Sequence, residues 1–384
     1  MMRADHAPRH AEMRADDAPR RAADASRRTN EMRRVRMRMP RTMAAAVALG
    51  LAAISTAALA ADPVPDNLPK FKAGLSTSFL GSPFFVALTT LTTQAAKTAG
   101  LTWLQPADAQ SDPGKQIADI QTLVNSGARG LIVVPRDSDA IAPALEYAAS
   151  RSVAVVAIDV GINTGHAAMT VRADNHSMAR TACEAVGAAL GNKGKVLELQ
   201  GDLLNSSGRD RTDGFELCIS LKFPNIKIIS RPTRWEQARA ADATQIILTA
   251  NPDIGAIYME SGSIMLPGVL SVLHQAGRNQ KAGEPNKIFL VAIDGSPYEL
   301  QMIRSGDLDA TVSQPLNLYA QWGVDYLRRA VKGETFRIGL TAHGSQIVKN
   351  SAGNLEDLVP APLVTSRNVD DPTLWGNLTG GTSR

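Results

Sequence analysis

Cysteine and aromatic residues are scarce in this chain of 384 residues. Only two cysteines are present, and Phe, Trp and Tyr together make up 4% of the sequence. Two cysteines are too few for a disulfide-rich scaffold or a four-cysteine zinc site. The six histidines show no spacing typical of metal ligands, so we predict no metal site.

Motifs for cofactor binding or nucleophilic catalysis are also missing. The chain contains no Walker loop, no G-x-G-x-x-G fingerprint and no G-x-S-x-G elbow. We therefore expect a protein without a cofactor and without catalytic residues.

Beyond the first sixty residues, the chain carries no excess of positive charge. The whole chain has 41 Lys and Arg against 37 Asp and Glu, with an isoelectric point near 9.1. Residues 1–60 hold 12 of the basic and 6 of the acidic residues, which leaves 29 and 31 for the remainder. That remainder has no basic stripe with interleaved aromatic residues, so we expect no nucleic-acid partner.

A secretory signal peptide is indicated at residues 32–60. An arginine-rich segment precedes a run of small and apolar residues, mostly alanine, over 43–59. Residues 58–60 offer an A-x-A cleavage site. The alternative is a retained membrane anchor, but a run of about 17 residues is marginal for a span. We expect cleavage after about Ala60 and export to the periplasm.

Residues 1–31 are interpreted as an upstream extension that is not part of the native protein. An Arg- and Ala-rich segment recurs there with a period of eleven residues. A start codon placed too early would explain it, with translation beginning near Met32 or Met37. N-terminal sequencing of the precursor that found Met1 would contradict this interpretation.

From Lys70 onward, apolar strand-like runs alternate with helical patterns. This alternation predicts parallel sheets covered by helices on both faces. The pattern restarts near residue 176, so we predict an α/β fold of two doubly wound lobes. The expected strands are 71–77, 101–105, 130–134, 153–158, 195–199, 226–230, 254–259, 287–293 and 309–313. The expected helices are 84–99, 113–127, 139–150, 176–190, 211–222, 236–250, 263–277, 297–305 and 316–332.

Two phenylalanines stand at the junction of the first strand and the first helix. Gly81, Ser82 and Pro83 supply the turn, and Pro83 suits a first helical turn, where its missing amide hydrogen costs nothing. Phe84 and Phe85 follow, at the point where open parallel sheets expose their ligand crevice. They either stack on a ligand ring or hold the helix against the sheet, and position alone does not decide between these roles.

Polar side chains follow the carboxyl ends of several expected strands. Ligands bind at this edge of α/β sheets, so carboxylates and amides there are candidates for hydrogen bonds to a polar ligand. The alternative role is capping of the next helix, which is less persuasive for Asp159 because Gly161 and Asn163 follow it. The strand-end candidates are Asp159, Glu260, Ser261, Asp294 and Gln314.

The two cysteines, Cys183 and Cys218, are expected on helices of the second lobe. An even cysteine count in an exported protein favours a disulfide bond. In the chain-entropy description its loop would contribute about 3 to 4 kcal/mol of stability. The alternative is two buried thiols that act as small apolar side chains.

Together these features resemble the periplasmic sugar-binding proteins of ABC importers, of the ribose-binding type with a lactose-repressor-like core. The resemblance covers roughly residues 70–333, and its motifs are weak singly but specific in this order and spacing. They are SPFFVAL (82–88), DAQSDPGKQIADIQTLV (108–124), VPRDSDAIAPA (134–144), RADN (172–175), GKVLELQG (194–201), GRDRTDGF (208–215), NPDIGAIY (251–258), AIDGSP (292–297) and DATVSQP (309–315).

The resemblance implies a sugar held between aromatic faces and polar side chains. Phe84 and Phe85 would form the aromatic wall of the first lobe, and Trp235 that of the second. A carboxylate or guanidinium presents paired groups that match adjacent hydroxyls. The implied polar contacts are Asp159, Arg211, Asp294 and Gln314.

Departures from the family's pattern bear on the ligand. Ser82 replaces the usual Asn, and Val160 replaces the usual Arg. The segment 260–262 reads Glu-Ser-Gly where the family often has Gln-Asn-Asp. Because several carboxylates in one pocket repel anions, we expect a small neutral sugar or polyol. A pentose, a hexose, a deoxy sugar and a sugar alcohol all remain open.

The resemblance also implies a division of the chain and a hinge. Crossovers near 172–174 and 314–316, followed by a later return, would join the lobes. The expected boundaries are 70–172 with 315–340 for the first lobe, 173–314 with about 341–366 for the second, and 367–384 for a C-terminal tail.

The function implied is capture of the ligand between the lobes and delivery to an ABC transporter permease, by a monomer and without catalysis. A periplasmic sensing subunit that presents its closed form to a membrane receptor would share every feature above. An exported enzyme that uses Asp159, Glu260 or Asp294 for glycoside chemistry is a further alternative. Against the enzyme, these carboxylates match binding positions of the family.

Overall fold

Two β-sheets, each covered by helices, make up the described part of the chain. The computed structural model describes residues 70–378, which belong to one unit of the chain, Leu59–Arg384. The expected upstream extension, the signal peptide and residues 379–384 of the tail lie outside the described residues. Within the described range, no helix is both long and apolar enough to span a bilayer.

The elements of residues 70–378 follow one another in the expected alternation. The strands are β1 (Lys72–Thr77), β2 (Thr102–Trp103), β3 (Ala107–Asp108), β4 (Gly130–Val133), β5 (Ala154–Ile158), β6 (Met169–Ala173), β7 (Gly194–Gln200), β8 (Ile226–Pro232), β9 (Ile254–Met259), β10 (Phe289–Asp294), β11 (Ala310–Ser313), β12 (Gly339–Leu340), β13 (Gln346–Lys349), β14 (Leu355–Val359) and β15 (Leu363–Val364). The helices are α1 (Pro83–Thr98), α2 (Pro113–Asn125), α3 (Ala142–Ser150), α4 (Asn175–Leu190), α5 (Ser206–Lys222), α6 (Gln237–Ala250), α7 (Gly262–Gln275), α8 (Pro297–Arg304), α9 (Leu316–Val331) and α10 (Trp375–Leu378).

The first sheet has the order β12-β13-β14-β6-β5-β4-β1-β2, and β3 also pairs with β1. The pairs among β1, β2, β3, β4, β5, β6 and β14 are parallel, and β12 and β13 extend the sheet in antiparallel fashion. Parallel neighbours need crossover connections, which the helices supply. Strands such as β4 and β5 are therefore covered on both faces, which explains their nearly continuous apolar sequences.

The second sheet has the order β15-β11-β10-β9-β7-β8. All of its pairs are parallel except that between β11 and β15. The predicted α/β class with two parallel-dominated sheets is therefore confirmed.

The chain passes between the sheets in three places. It leaves the first sheet after β6, returns to it after β11, and leaves again after β14. The first two passages follow Ala173 and Ser313, and α9 packs against α1 and the first sheet. The third passage differs from the prediction. The prediction places about 341–366 in the second lobe, but β13 and β14 pair with the first sheet, and only β15 joins the second.

The helix α5 begins earlier than predicted. The sequence predicted a start at residue 211, but α5 begins at Ser206. The side chain of Asn205 accepts a hydrogen bond of 2.8 Å from the amide of Ser207 and so caps the helix. The cap compensates for the weak helix propensity of the Ser-Ser-Gly sequence that follows it.

Cys183 on α4 and Cys218 on α5 are joined by a disulfide bond, with Cα atoms 6.2 Å apart. Both side chains are buried in the core beneath the second sheet, where α4 and α5 pack together. The bond closes a loop with a sequence separation of 35 residues. It therefore fixes α5, which carries several residues of the site, to α4.

Candidate functional site

A cavity lies where the carboxyl ends of strands from both sheets meet. It contains about 370 Å³ of space between protein atoms, part of which is open to solvent. Every predicted ligand-binding residue except Glu260 lines it. The lining residues are Ser82, Phe84, Phe85, Asp159, Val160, Asn205, Ser207, Arg211, Trp235, Ser261, Ile264, Asp294 and Gln314.

The aromatic wall on the first-sheet side consists of Phe84 and Phe85 in the first turn of α1. Their rings meet edge to face, with centroids 5.2 Å apart. Phe84 also contacts the indole of Trp375 edge-on at 6.0 Å, and only 4% of its surface is exposed. Phe84 therefore both holds α1 in place and lines the cavity. The two roles left open by the sequence are compatible.

Trp235 supplies the aromatic side chain on the second-sheet side. It has a backbone φ of +61°, and Arg234 before it has +56°, so two consecutive non-glycine residues are left-handed. A Cβ atom at Gly201 would lie 2.0 Å from the indole, so only glycine allows the ring to rest on this backbone. The guanidinium of Arg211 lies 5.7 Å from the ring centroid. Backbone strain and close packing thus fix the indole at the cavity.

The carboxylate of Asp294 is held by several donors from the protein. Its Oδ2 accepts bonds from Ser261 Oγ at 2.6 Å and from the amide and hydroxyl of Ser263, and its Oδ1 accepts one from Gln314 Nε2 at 2.9 Å. The Asp294 backbone has a φ of +140°, a rare value for a residue with a side chain. Ser261 therefore acts mainly by fixing Asp294, which leaves the carboxylate little rotational freedom.

The carboxylate of Asp159, unlike that of Asp294, has an oxygen that receives no hydrogen bond from the described residues. Its Oδ1 is buried and has no hydrogen-bond partner among residues 70–378. Burial raises the pKa of this carboxyl from 3.8 to about 7, and the negative charge of Asp294 adds to the effect while Arg211 opposes it. A buried acceptor without a donor is costly, and a ligand hydroxyl in the cavity could supply that donor.

Arg211 of α5 lines the cavity, and two hydrogen bonds to other residues hold its guanidinium in place. Its Nε donates to Asn175 Oδ1 at 2.7 Å, and its Nη1 donates to the backbone oxygen of Glu260 at 2.5 Å. Only 3% of the residue's surface is exposed. These bonds hold a guanidinium ready to donate to ligand oxygens.

Glu260 is the one predicted residue that does not line the cavity. Its Oε2 accepts a bond from the amide of Gly201 at 2.7 Å, and its Oε1 accepts one from Thr212 Oγ1 at 2.6 Å. Burial raises the pKa of this carboxyl to about 8. The side chain points into the second lobe and supports the backbone beneath Trp235. The strand-end rule located the residue correctly, but not the direction of its side chain.

Three lining residues were not predicted from the sequence, and a fourth, Val160, was noted only as the replacement of the family's usual Arg. Ile264 is apolar, and nothing in its pattern distinguishes it from a core residue. Asn205 and Ser207 lie beyond β7 on the N-terminal turn of α5. An Asn-Ser-Ser sequence after an apolar strand is a helix-start signal, and recognising it would have brought both residues to the strand-end edge.

A second cavity, with about 740 Å³ of space open in part to solvent, lies next to the first. Ser206 and Asp210 of α5 line it, whereas the adjacent Ser207 and Arg211 line the first cavity. Arg172 at its wall pairs with Asp210 at 2.6 Å and with Glu356 at 3.6 Å. Across the described residues, no cluster of three or more acidic, histidine or cysteine side chains could hold a metal ion.

Two parallel sheets with a cavity at their facing strand ends define a two-lobed binding-protein architecture. Comparison of the sequence with known families agrees with it, because the model for the periplasmic binding protein domain matches residues 73–335. The chain belongs to this family.

Individual relatives show the same relationship. The ribose import binding protein RbsB of Escherichia coli strain K12 is 29% identical over 281 residues, covering 73% of this chain and 92% of the relative. An ABC transporter solute binding protein from Mycobacterium smegmatis, solved with bound glycerol, superposes with a TM-score of 0.68 at 27% identity over 78% of this chain and 96% of that one. The Caulobacter myo-inositol binding protein, solved with myo-inositol, gives a TM-score of 0.67 at 26% identity over 78% and 94%.

Proposed function

We propose that this protein captures a neutral sugar or polyol in the cavity between its sheets and delivers it to the permease of an ABC transporter. The observation that carries the proposal is the unpartnered Oδ1 of Asp159, which lies in a cavity walled by Phe84, Phe85 and Trp235. Such a site offers hydrogen-bond partners to hydroxyls and apolar faces to the C–H side of a ring. The ligands of the related proteins, ribose, glycerol and myo-inositol, belong to the same chemical class.

The charges at the cavity favour a neutral ligand. Asp159 and Asp294 contribute two carboxylates against the single guanidinium of Arg211. An anionic ligand would meet net repulsion, whereas hydroxyls can both donate to carboxylates and accept from the guanidinium. Val160 and Ile264 would contact carbons of the ligand that carry no hydroxyl.

Binding would proceed by closure of two lobes around the ligand. We assign residues 70–172 and 315–359 to the first lobe and residues 173–314 and 360–366 to the second, because these ranges follow the two sheets. Closure removes water and adds contacts that only the closed form makes, so a ligand shifts the equilibrium towards it. A monomer is sufficient, since both walls of the cavity come from one chain.

The test is a thermal-shift screen of the protein from Ala61 onward against pentoses, hexoses, deoxy sugars, polyols, amino acids and nucleosides. A ligand at one hundred times its Kd should stabilise the folded state by about 2.7 kcal/mol. We expect a shift with one neutral sugar or polyol and a smaller shift in Asp159→Asn. A shift with only amino acids or nucleosides would overturn the ligand class. Loss of growth on the identified compound after gene deletion would support delivery to a transporter rather than to a receptor.

A further inference from the structure

A short segment of the second lobe, residues 202–207, is hydrogen-bonded to loops of the first. We call it the closing segment. It connects β7 to α5, and its partners follow β4 and β5. The four bonds are Arg136 Nη2 to Asp202 Oδ2 at 2.7 Å, the amide of Ser206 to Ser138 Oγ at 3.0 Å, the amide of Gly161 to Ser206 Oγ at 3.0 Å, and Ser207 Oγ to the backbone oxygen of Asp159 at 3.3 Å.

The Arg136–Asp202 ion pair is the strongest of these contacts. The side chains are only 18% and 7% exposed, so solvent screens the pair less than a surface pair. Each partner is also held on its own side. Arg136 Nε donates to the backbone oxygen of Ser111 at 3.3 Å, and Asp202 Oδ1 accepts the amide of Leu204 at 3.1 Å. Little side-chain freedom is therefore lost when the pair forms.

The closing segment also brings polar groups to the ligand cavity. Asn205 and Ser207 line the cavity, and neither lies on a strand of either sheet. Asn205 Oδ1 accepts the amide of Ser207, which directs the amide nitrogen of Asn205 away from the helix as a donor. When the segment is docked on the first lobe, it would therefore present the amide nitrogen of Asn205 as a donor at the cavity, while the hydroxyl of Ser207 donates to the backbone oxygen of Asp159.

We propose that Arg136 and Asp202 are positioning residues that hold the closing segment against the first lobe and thereby set ligand affinity and residence time. The inference rests on the proposed closure of two lobes and goes beyond it, because neither residue touches the ligand cavity. Bonds between the lobes that do not involve ligand raise the population of the closed form. Apparent affinity scales with that population.

The test measures lobe closure directly. Nitroxide labels are attached to Ser150→Cys on α3 and Ile246→Cys on α6, two exposed positions on different lobes. The native cysteines are bonded to each other and do not react. Label distances are recorded without ligand and with saturating ribose, xylitol or myo-inositol. The closed distance is the one between these positions in this structure.

Arg136→Gln, Asp202→Asn and their combination are compared in this labelled background. Each single variant should lower the ratio of closed to open molecules roughly 10-fold, and the double variant should lower it no further, because both remove the same pair. The ligand off-rate should rise by a similar factor, with little change in on-rate. Lys287→Gln is the matched control. It breaks a pair with Asp309 of similar burial, 9% and 14% exposed, that lies away from the cavity.

The outcomes separate this inference from the proposed ligand class. The inference is overturned if all three variants have the same closed population as the parent. It is also overturned if the parent has no closed population. A purely structural role would lower the melting temperature while leaving distances and off-rates unchanged. If closure and the ligand off-rate depend on the pair but the compound that binds is neither a sugar nor a polyol, the inference stands and the ligand class fails.

Discussion

The hydroxyl of Tyr319 accepts a hydrogen bond of 2.7 Å from the backbone amide of Ala173, the last residue of β6. It donates in turn to Oε1 of Gln314 at 3.1 Å, and Gln314 Nε2 donates to Asp294. One buried hydroxyl thus connects two of the passages between the sheets. It also orients an amide that lines the ligand cavity, so the hinge and the site share a hydrogen-bond network.

Tyr319→Phe should weaken both the hinge and the site. The amide of Ala173 would lose its partner in a buried position, which costs about 1 to 3 kcal/mol of folding stability. Gln314 would lose the donor that fixes its orientation, so ligand affinity should fall as well. Urea unfolding and calorimetric titration measure the two effects. Tyr147→Phe is the control, since it removes an exposed bond to Asn125, and equal small effects in both variants would contradict the prediction.

Gly201→Ala should displace the indole of Trp235 without touching the ligand itself. The added methyl would lie 2.0 to 2.4 Å from three ring atoms, so the ring must move. We expect affinity to fall by about 1 to 3 kcal/mol, as in Trp235→Ala, because both remove the same aromatic contact. Gly114→Ala is the control, because Gly114 does not line the cavity and the nearest atom to the added methyl is the side-chain Oδ1 of Asp112 at 3.2 Å; binding should be unchanged. Wild-type affinity in both Gly201→Ala and Trp235→Ala would mean that the indole makes no ligand contact.

Periodicity predicted the alternating strands and helices well because both sheets are parallel and buried. Long apolar runs and their connecting helices leave strong local signals. The strands β12 to β15 were not predicted, since they are short and mixed in composition, and β14 and β15 pair with strands that are distant in sequence. Residues 346–359 belong to the first sheet because β14 pairs with β6, and no local sequence pattern encodes such a long-range pairing.

The same distinction between local and long-range information applies to the candidate site. Asp159, Asp294 and Gln314 could be located because strand ends of parallel sheets meet at one edge. The direction of the Glu260 side chain could not, because it depends on donors from Gly201 and Thr212.

Ligand binding should weaken on acidification through the pKa of Asp159, which burial raises to about 7 in the ligand-free protein. A ligand hydroxyl that donates to this group favours the ionised carboxylate. Affinity should therefore be highest above pH 7 and fall as the pH decreases to 6 and below. Calorimetric titration of the compound identified by the screen, between pH 5.5 and 8.5, measures the profile. Asp159→Asn should bind more weakly with a flat profile, and a sloping profile in that variant would assign the pH dependence to another group.

Glu198 and Glu260 form a second pair of buried carboxyls, beneath the cavity. Burial raises the pKa of Glu198 well above its ordinary value of 4.5, and the nearby Glu260 adds to the effect. Its Oε2 accepts a bond from Ser230 Oγ at 2.7 Å, but its Oε1 has no partner within residues 70–378. A folded-state pKa above the unfolded value means that stability is fully present below about pH 4.5 and is lost as the pH rises through the folded-state pKa.

Glu198→Gln should remove this loss, because the amide has the shape of the protonated acid and does not ionise. The variant should match the parent in urea unfolding near pH 5 and exceed it in stability at pH 8 to 9. Glu184→Gln is the control, since Glu184 is half exposed and paired with Lys222 at the surface. If the parent and Glu198→Gln lost stability in parallel between pH 5 and 9, the loss would belong to other buried carboxyls, such as Glu260 and Glu299, whose pKa values burial raises to about 8.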